Sequence, residues 1–157
     1  MRLRILFLRI TCVLLALTGL IKLLSAGGES RILSDPDPLL PLSNRELMLL
    51  AGLMELVVVW FLLSRKPEAA RLLIVAALGT EFLLYRIGLW WIHATKPCSC
   101  LGNATGWLGI SPAVADNTAK AILVFLLVGS YYFLLKQKRS TRTKAEVEQP
   151  SSAAVIG

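Results

Sequence analysis

The chain has 157 residues, 55% of them hydrophobic, with a mean hydropathy of +0.66 and a formal net charge of +7. It is too apolar for a soluble domain of this size and fits a small polytopic membrane protein, for which the bilayer acts as solvent. About 20 apolar residues cross the hydrocarbon core, and four stretches qualify, at about 5–25, 47–64, 70–92 and 112/119–136.

The first stretch follows the basic segment Met1-Arg2-Leu3-Arg4 and ends near Ser25-Ala26-Gly27, features that a cleavable signal peptide also shows. Arg9 within the apolar run and the length of that run favour a retained span. Cys12 is a small packing residue on the cytoplasmic side of this span, and Lys22 sits within about a turn of its outer end. The loop that follows carries Gly27-Gly28 and Asp35-Pro36-Asp37-Pro38, whose prolines forbid a continuous helix.

The second span contains Glu55, about 12 Å in from its outer end at 1.5 Å per residue. The turn Arg65-Lys66-Pro67-Glu68 is short, so the second and third spans are expected to be antiparallel neighbours. The third span contains Glu81, Tyr85 one turn further along the same face, and Arg86 roughly 9 Å from the outer end. Charges in hydrocarbon cost at least a few kcal/mol unless paired or hydrated. Glu55 is therefore expected to pair with Arg86 or Lys22 in the bundle interior. Such a pair either fixes which helix faces pack or handles protons or a ligand.

Trp60, Trp90, Trp91 and Trp107 fall near interfaces, where indoles anchor helix ends. His93, the single histidine, stands beside that belt, either as ordinary surface or as a proton carrier. Beyond it, Lys96-Pro97-Cys98-Ser99-Cys100-Leu101-Gly102 forms a two-cysteine cluster. Gly102, Gly106 and Gly109 prevent a helix there, and Ser111-Pro112 has the form of an N-cap with proline at the first helical position, so the fourth helix starts outside the apolar stretch. The reading divides the chain into a four-helix domain over 1–140 and a disordered cytoplasmic tail over 141–157.

Basic residues set the orientation. Arg2, Arg4, Arg9, Arg65, Lys66, Arg71, Lys136, Lys138, Arg139, Arg142 and Lys144, eleven of the 17 lysines and arginines, fall on one side. The positive-inside rule makes that side cytoplasmic, with both termini on it. The fold class expected is an all-α integral membrane protein, a four-transmembrane-helix bundle in a bacterial inner membrane with Cys98 and Cys100 on the periplasmic side. The basic tail abuts a span and lacks interleaved aromatics, so lipid headgroups rather than nucleic acid are its partner.

Cys98 and Cys100 are separated by one residue, close enough for a small, strained ring if they bond. Strain makes such a bond easier to reduce and a better oxidant than a structural bridge. Lys96 stabilises a thiolate electrostatically, and an oxidising compartment lets disulfides persist. Redox exchange and a purely structural disulfide both fit this pair. Two cysteines and one distant histidine fall short of a four-ligand zinc site, so no metal is expected.

Four spans, Thr18-Gly19-Leu20-Ile21-Lys22, an Asp-Pro outer loop, Leu53-Met54-Glu55-Leu56 and Cys98-Ser99-Cys100-Leu101-Gly102 together resemble the MauE branch of the DoxX-like membrane proteins, over about residues 5–137. Leu101 stands where that family usually has an aromatic. The resemblance implies a role in disulfide formation or export of a methylamine dehydrogenase subunit. It also implies likeness to four-helix thiol oxidases that use quinone and a Cys-x-x-Cys pair. This chain has Cys-x-Cys and no second outer pair, so a full circuit would need a partner's thiols.

The expected function is thus thiol–disulfide exchange with an exported protein or a thioredoxin-like periplasmic partner. Cys98 and Cys100 form the redox pair, Lys22, Glu55, Glu81, Tyr85, Arg86, His93 and Lys96 support it, and quinone is a candidate acceptor. The alternatives are a membrane scaffold with a structural disulfide, and a quinol-linked respiratory subunit.

Overall fold

A computed structural model describes residues 2–28, 31–93 and 111–148. Its helices are α1 (Arg2–Ala26), the short α2 (Arg31–Ser34), α3 (Asn44–Leu63), α4 (Glu68–Trp91) and α5 (Pro112–Glu148). Four of them are long and apolar enough to cross a membrane. Most of their apolar surface faces outward: Leu17, Leu53, Leu84 and Val128 are exposed. In water such faces would be an aggregation hazard, whereas in lipid they are the solvated surface. The protein is an all-helical, multi-pass membrane protein.

The ends of the spans follow local chemistry. Ser43 and Glu46 close a capping box at the start of α3, with the Ser43 side chain accepting from the Glu46 amide and the Glu46 carboxylate accepting from the Ser43 amide at 2.8 Å. The expected Ser111-Pro112 start of α5 is present, and the Ala115 amide donates to the Ser111 carbonyl at 3.1 Å. At the far end α5 continues past Thr141 to Glu148, through Lys144-Ala145-Glu146, which are good helix formers, before Pro150. His93 ends α4 with φ 52°, a left-handed position that terminates a helix and in which His is tolerated more often than most residues.

The bundle is built from two helix pairs, α1 along α3 and α4 along α5. The short turn does bring α3 and α4 side by side, but they touch at few points, because the close packing is made elsewhere. In the first pair Gly19 and Gly52 stack at the crossing. A Cβ on either would lie 3.1 Å from the other's carbonyl oxygen, so only hydrogen lets the backbones approach this closely. In the second pair Gly79 faces Leu127. Gly129 on α5 leaves room for Phe7 of α1, which packs with Phe125 and Phe133 at centroid distances of 5.1 and 5.4 Å and ties the two pairs together away from the loops. Cys12 is half-buried against the same core as a free thiol.

At the opposite end, residues 35–43 fold back as a small roof. The Asp37 amide donates to the Leu42 carbonyl at 2.8 Å, and the Asn44 amide to the Asp35 carbonyl at 3.0 Å. Gly88 of α4 leaves space for Leu39 from this roof.

Candidate functional site

The glycine crossing determines what happens one turn away on each helix. α1 and α3 are antiparallel, so Lys22, three residues after Gly19, and Glu55, three residues after Gly52, lie on opposite sides of the crossing. Helical side chains lean toward their own N-terminus. Lys22 therefore leans back along α1 and Glu55 along α3, and the two converge. Lys22 Nζ forms an ion pair with Glu55 Oε1, and lies 4.9 Å from the centroid of the Phe82 ring on α4. Glu55 is only 2% exposed, and its second oxygen, Oε2, meets no hydrogen-bond donor among the described residues.

The expected pairing of Glu55 with Lys22 or Arg86 thus resolves to Lys22. Arg86 goes elsewhere: its Nη2 donates to Asp116 Oδ1 of α5 at 2.8 Å, and Lys120 Nζ reaches Asp116 Oδ2 at 2.6 Å. The salt bridge crosses from α4 to α5, so each helix pair carries its own acid–base contact. Tyr85 donates its hydroxyl to Asp37 Oδ2 at 2.5 Å. Asp37 Oδ1 accepts from the amides of Leu39 and Leu40, each at 2.9 Å. One buried carboxylate therefore shapes the roof and fastens it to α4. Glu81 is exposed, with no ion-pair partner among the described residues. His93 is exposed at the end of α4. Lys96, Cys98 and Cys100 lie outside the described residues, as does Trp107.

Between the two helix pairs, beneath the roof, lies a cavity of about 630 Å³. Its walls come from all four spans and the roof, and Lys22, Glu55, Glu81, Phe82, Tyr85 and Arg86 are among them. Leu50 of α3, Leu84 of α4 and Val114 of α5 line it while being exposed themselves, so it is open to the surroundings of the bundle. The volume and the mainly apolar wall with a few convergent polar groups are those of a small-molecule site. No cluster of side chains suited to a metal ion occurs among the described residues.

Sequence reasoning passed over three contributors. Asp37 counted only as part of a proline-broken loop, although an aspartate two and three residues before Leu39 and Leu40 is the pattern of an Asx turn. Asp116 was assigned no role, although it falls within the helix expected to start at Pro112 and its spacing to Lys120 marks an i,i+4 pair. Phe82 carried no signal, because its place beneath Lys22 depends on tertiary packing.

Among known proteins, the family model described as methylamine utilisation protein MauE matches residues 2–134. No curated protein and no solved structure matches the chain. The matched region runs from α1 well into α5 and takes in every polar residue of the cavity together with both cysteines of the α4–α5 connection. The chain belongs to the MauE family, multi-pass membrane proteins associated with methylamine utilisation.

Proposed function

We propose that this protein exchanges disulfides with an exported partner, using Cys98 and Cys100 on the outer face of the inner membrane. The observation that carries the reading is the placement of the pair in sequence, within a connection that leaves the bundle after His93 and re-enters at Ser111. Those two ends flank the roof, at the end of the bundle that the distribution of basic residues makes periplasmic. Lys96 supplies a nearby positive charge that favours thiolate.

In the exchange, a partner thiolate attacks one sulfur of the Cys98–Cys100 disulfide. The bond between the two cysteines breaks, a mixed disulfide forms, and the other cysteine leaves as thiolate. A second partner thiolate then attacks the mixed disulfide, leaving the partner oxidised by two electrons and the Cys98/Cys100 pair reduced by two. A thioredoxin-like protein disulfide is the oxidant that restores the pair, by the same steps in reverse.

The test is to replace each cysteine singly with serine in the native host. In the regenerating step the single remaining thiolate attacks the oxidant's disulfide, so under this reading Ser at the resolving position traps a reducible adduct with the thioredoxin-like partner, and Ser at the attacking position abolishes it. Absence of an adduct from both single variants, with normal maturation of exported proteins in the double variant, would leave the pair a structural bridge.

A further inference from the structure

The charged groups that line the cavity pair off until one is left. Lys22 is taken by Glu55, and Arg86 by Asp116, which also holds the exposed Lys120 outside the lining. Thr18 donates to the Leu14 carbonyl at 3.0 Å and Thr118 to the Val114 carbonyl at 2.8 Å, Tyr85 is committed to Asp37, and Asn44 is also engaged. Glu81 remains, part of the lining, exposed, and with no hydrogen-bond or ion-pair partner among the described residues. It stands roughly 20 Å from the Glu68 end of α4 and roughly 15 Å from the Trp91 end at about 1.5 Å per residue, deep in the span, where an unpaired charge is costly. Glu55 is closed off by packing, whereas Glu81 is within reach of whatever occupies the cavity.

We infer that the cavity binds a lipid-soluble amine, an apolar body against the walls with its ammonium group paired to the Glu81 carboxylate. Charge complementarity selects the class. An anionic ligand would face Glu81 unaided, and a neutral one would leave its charge uncompensated. An inorganic cation needs more oxygen ligands than one carboxylate supplies, and no metal-binding cluster occurs among the described residues. An amine meets the acid without bringing net charge into the span. It enters from lipid as the neutral base and meets Glu81 as the carboxylic acid; the proton moves from the Glu81 oxygen to the amine nitrogen, and the resulting ion pair is neutral as a whole. Tyr85, one turn further along the same face, lines the cavity too, and with its hydroxyl held by Asp37 what it offers a ligand is its ring, to which ammonium groups are attracted. Lys22 is held in the same manner, by the Glu55 carboxylate and by the Phe82 ring at 4.9 Å. The site uses neither cysteine, so it stands apart from the exchange at Cys98 and Cys100.

The experiment uses the full chain in phosphatidylcholine nanodiscs and radiolabelled decylamine as the probe. Saturable retention above that of empty discs is expected, with unlabelled 1-decanol competing about ten-fold or more weakly than unlabelled decylamine, the scale of one hydrogen bond to a charged group. In Glu81→Gln, which keeps the shape and removes the acid, the preference for amine over alcohol is expected to fall to about two-fold or less, a ratio that does not depend on how much protein folds. Glu68→Gln removes an acid at the start of α4 and outside the lining, and is expected to leave the preference within about two-fold of wild type, because a surface charge that far away is screened. Equal competition by amine and alcohol in the wild-type protein, no saturable retention, a preference that survives Glu81→Gln, or one that Glu68→Gln also abolishes, overturns the proposal.

Discussion

Replacing Lys22 with methionine keeps most of the side-chain volume and removes the ammonium. Glu55, 2% exposed, is then left with neither carboxylate oxygen partnered, in an interior walled by α1, α3 and the Phe82 ring. Stranding one member of a buried pair costs about 3–5 kcal/mol, a large share of the roughly 5–15 kcal/mol by which a folded protein exceeds its unfolded state. Replacing Glu55 with methionine alone strands the ammonium at similar cost. The double variant removes both charges and leaves a packed apolar crossing, so its cost should be near zero, and the coupling between the two sites should be about 3 kcal/mol or more. Unfolding of the purified protein by SDS in mixed micelles, followed by tryptophan fluorescence, measures all three variants against wild type. A loss under about 1 kcal/mol for the single lysine variant, or a double variant whose loss equals the sum of the singles, would refute the claim that these charges neutralise one another in the folded bundle.

Gly129→Ala would set a Cβ 2.1 Å from Phe7 Cε2, inside a ring cluster with little freedom to yield, and should cost about 1–3 kcal/mol in the same unfolding assay; Phe7→Leu in that background should recover most of it. Tyr85→Phe removes the hydroxyl that holds Asp37, so amide hydrogen exchange over residues 39–42 should accelerate about ten-fold or more, while exchange in α1 stays as in wild type. A membrane-impermeant maleimide, applied to intact cells after reduction, should label Cys98 or Cys100 and spare Cys12; labelling that requires permeabilisation would reverse the proposed orientation.

The spans were legible because lipid demands long apolar runs with internally satisfied backbones, and composition alone reports that demand. Their order of packing was less legible. The short Arg65–Glu68 turn correctly joins α3 to α4 but says nothing about how closely they pack, which Gly19, Gly52 and Gly79 decide by allowing close approach in the other pairs. Asp37 and Asp116 were missed for a related reason. Asp37 stands in a segment read as connection and Asp116 in the part of the fourth helix outside its apolar run, and the partner of each, Tyr85 or Arg86, comes from a helix far away in sequence.

The Lys22–Glu55 pair shows where sequence stops short and what would carry it further. Depth along each span admitted both Lys22 and Arg86 as partners for Glu55, because distance from a helix end ignores which face a residue occupies and which way its side chain leans. The segments Gly19-Leu20-Ile21-Lys22 and Gly52-Leu53-Met54-Glu55 hold the missing information. Each places a charge three residues after a glycine, on the same helix face. If the two glycines mark the crossing of antiparallel helices, the backward lean of helical side chains brings those charges together and leaves Arg86 to find another acid. The same convergence sets one carboxylate oxygen against Lys22 and leaves the other buried without a donor among the described residues, so the contact that fixes the crossing also holds a charged side chain in the lining of the cavity.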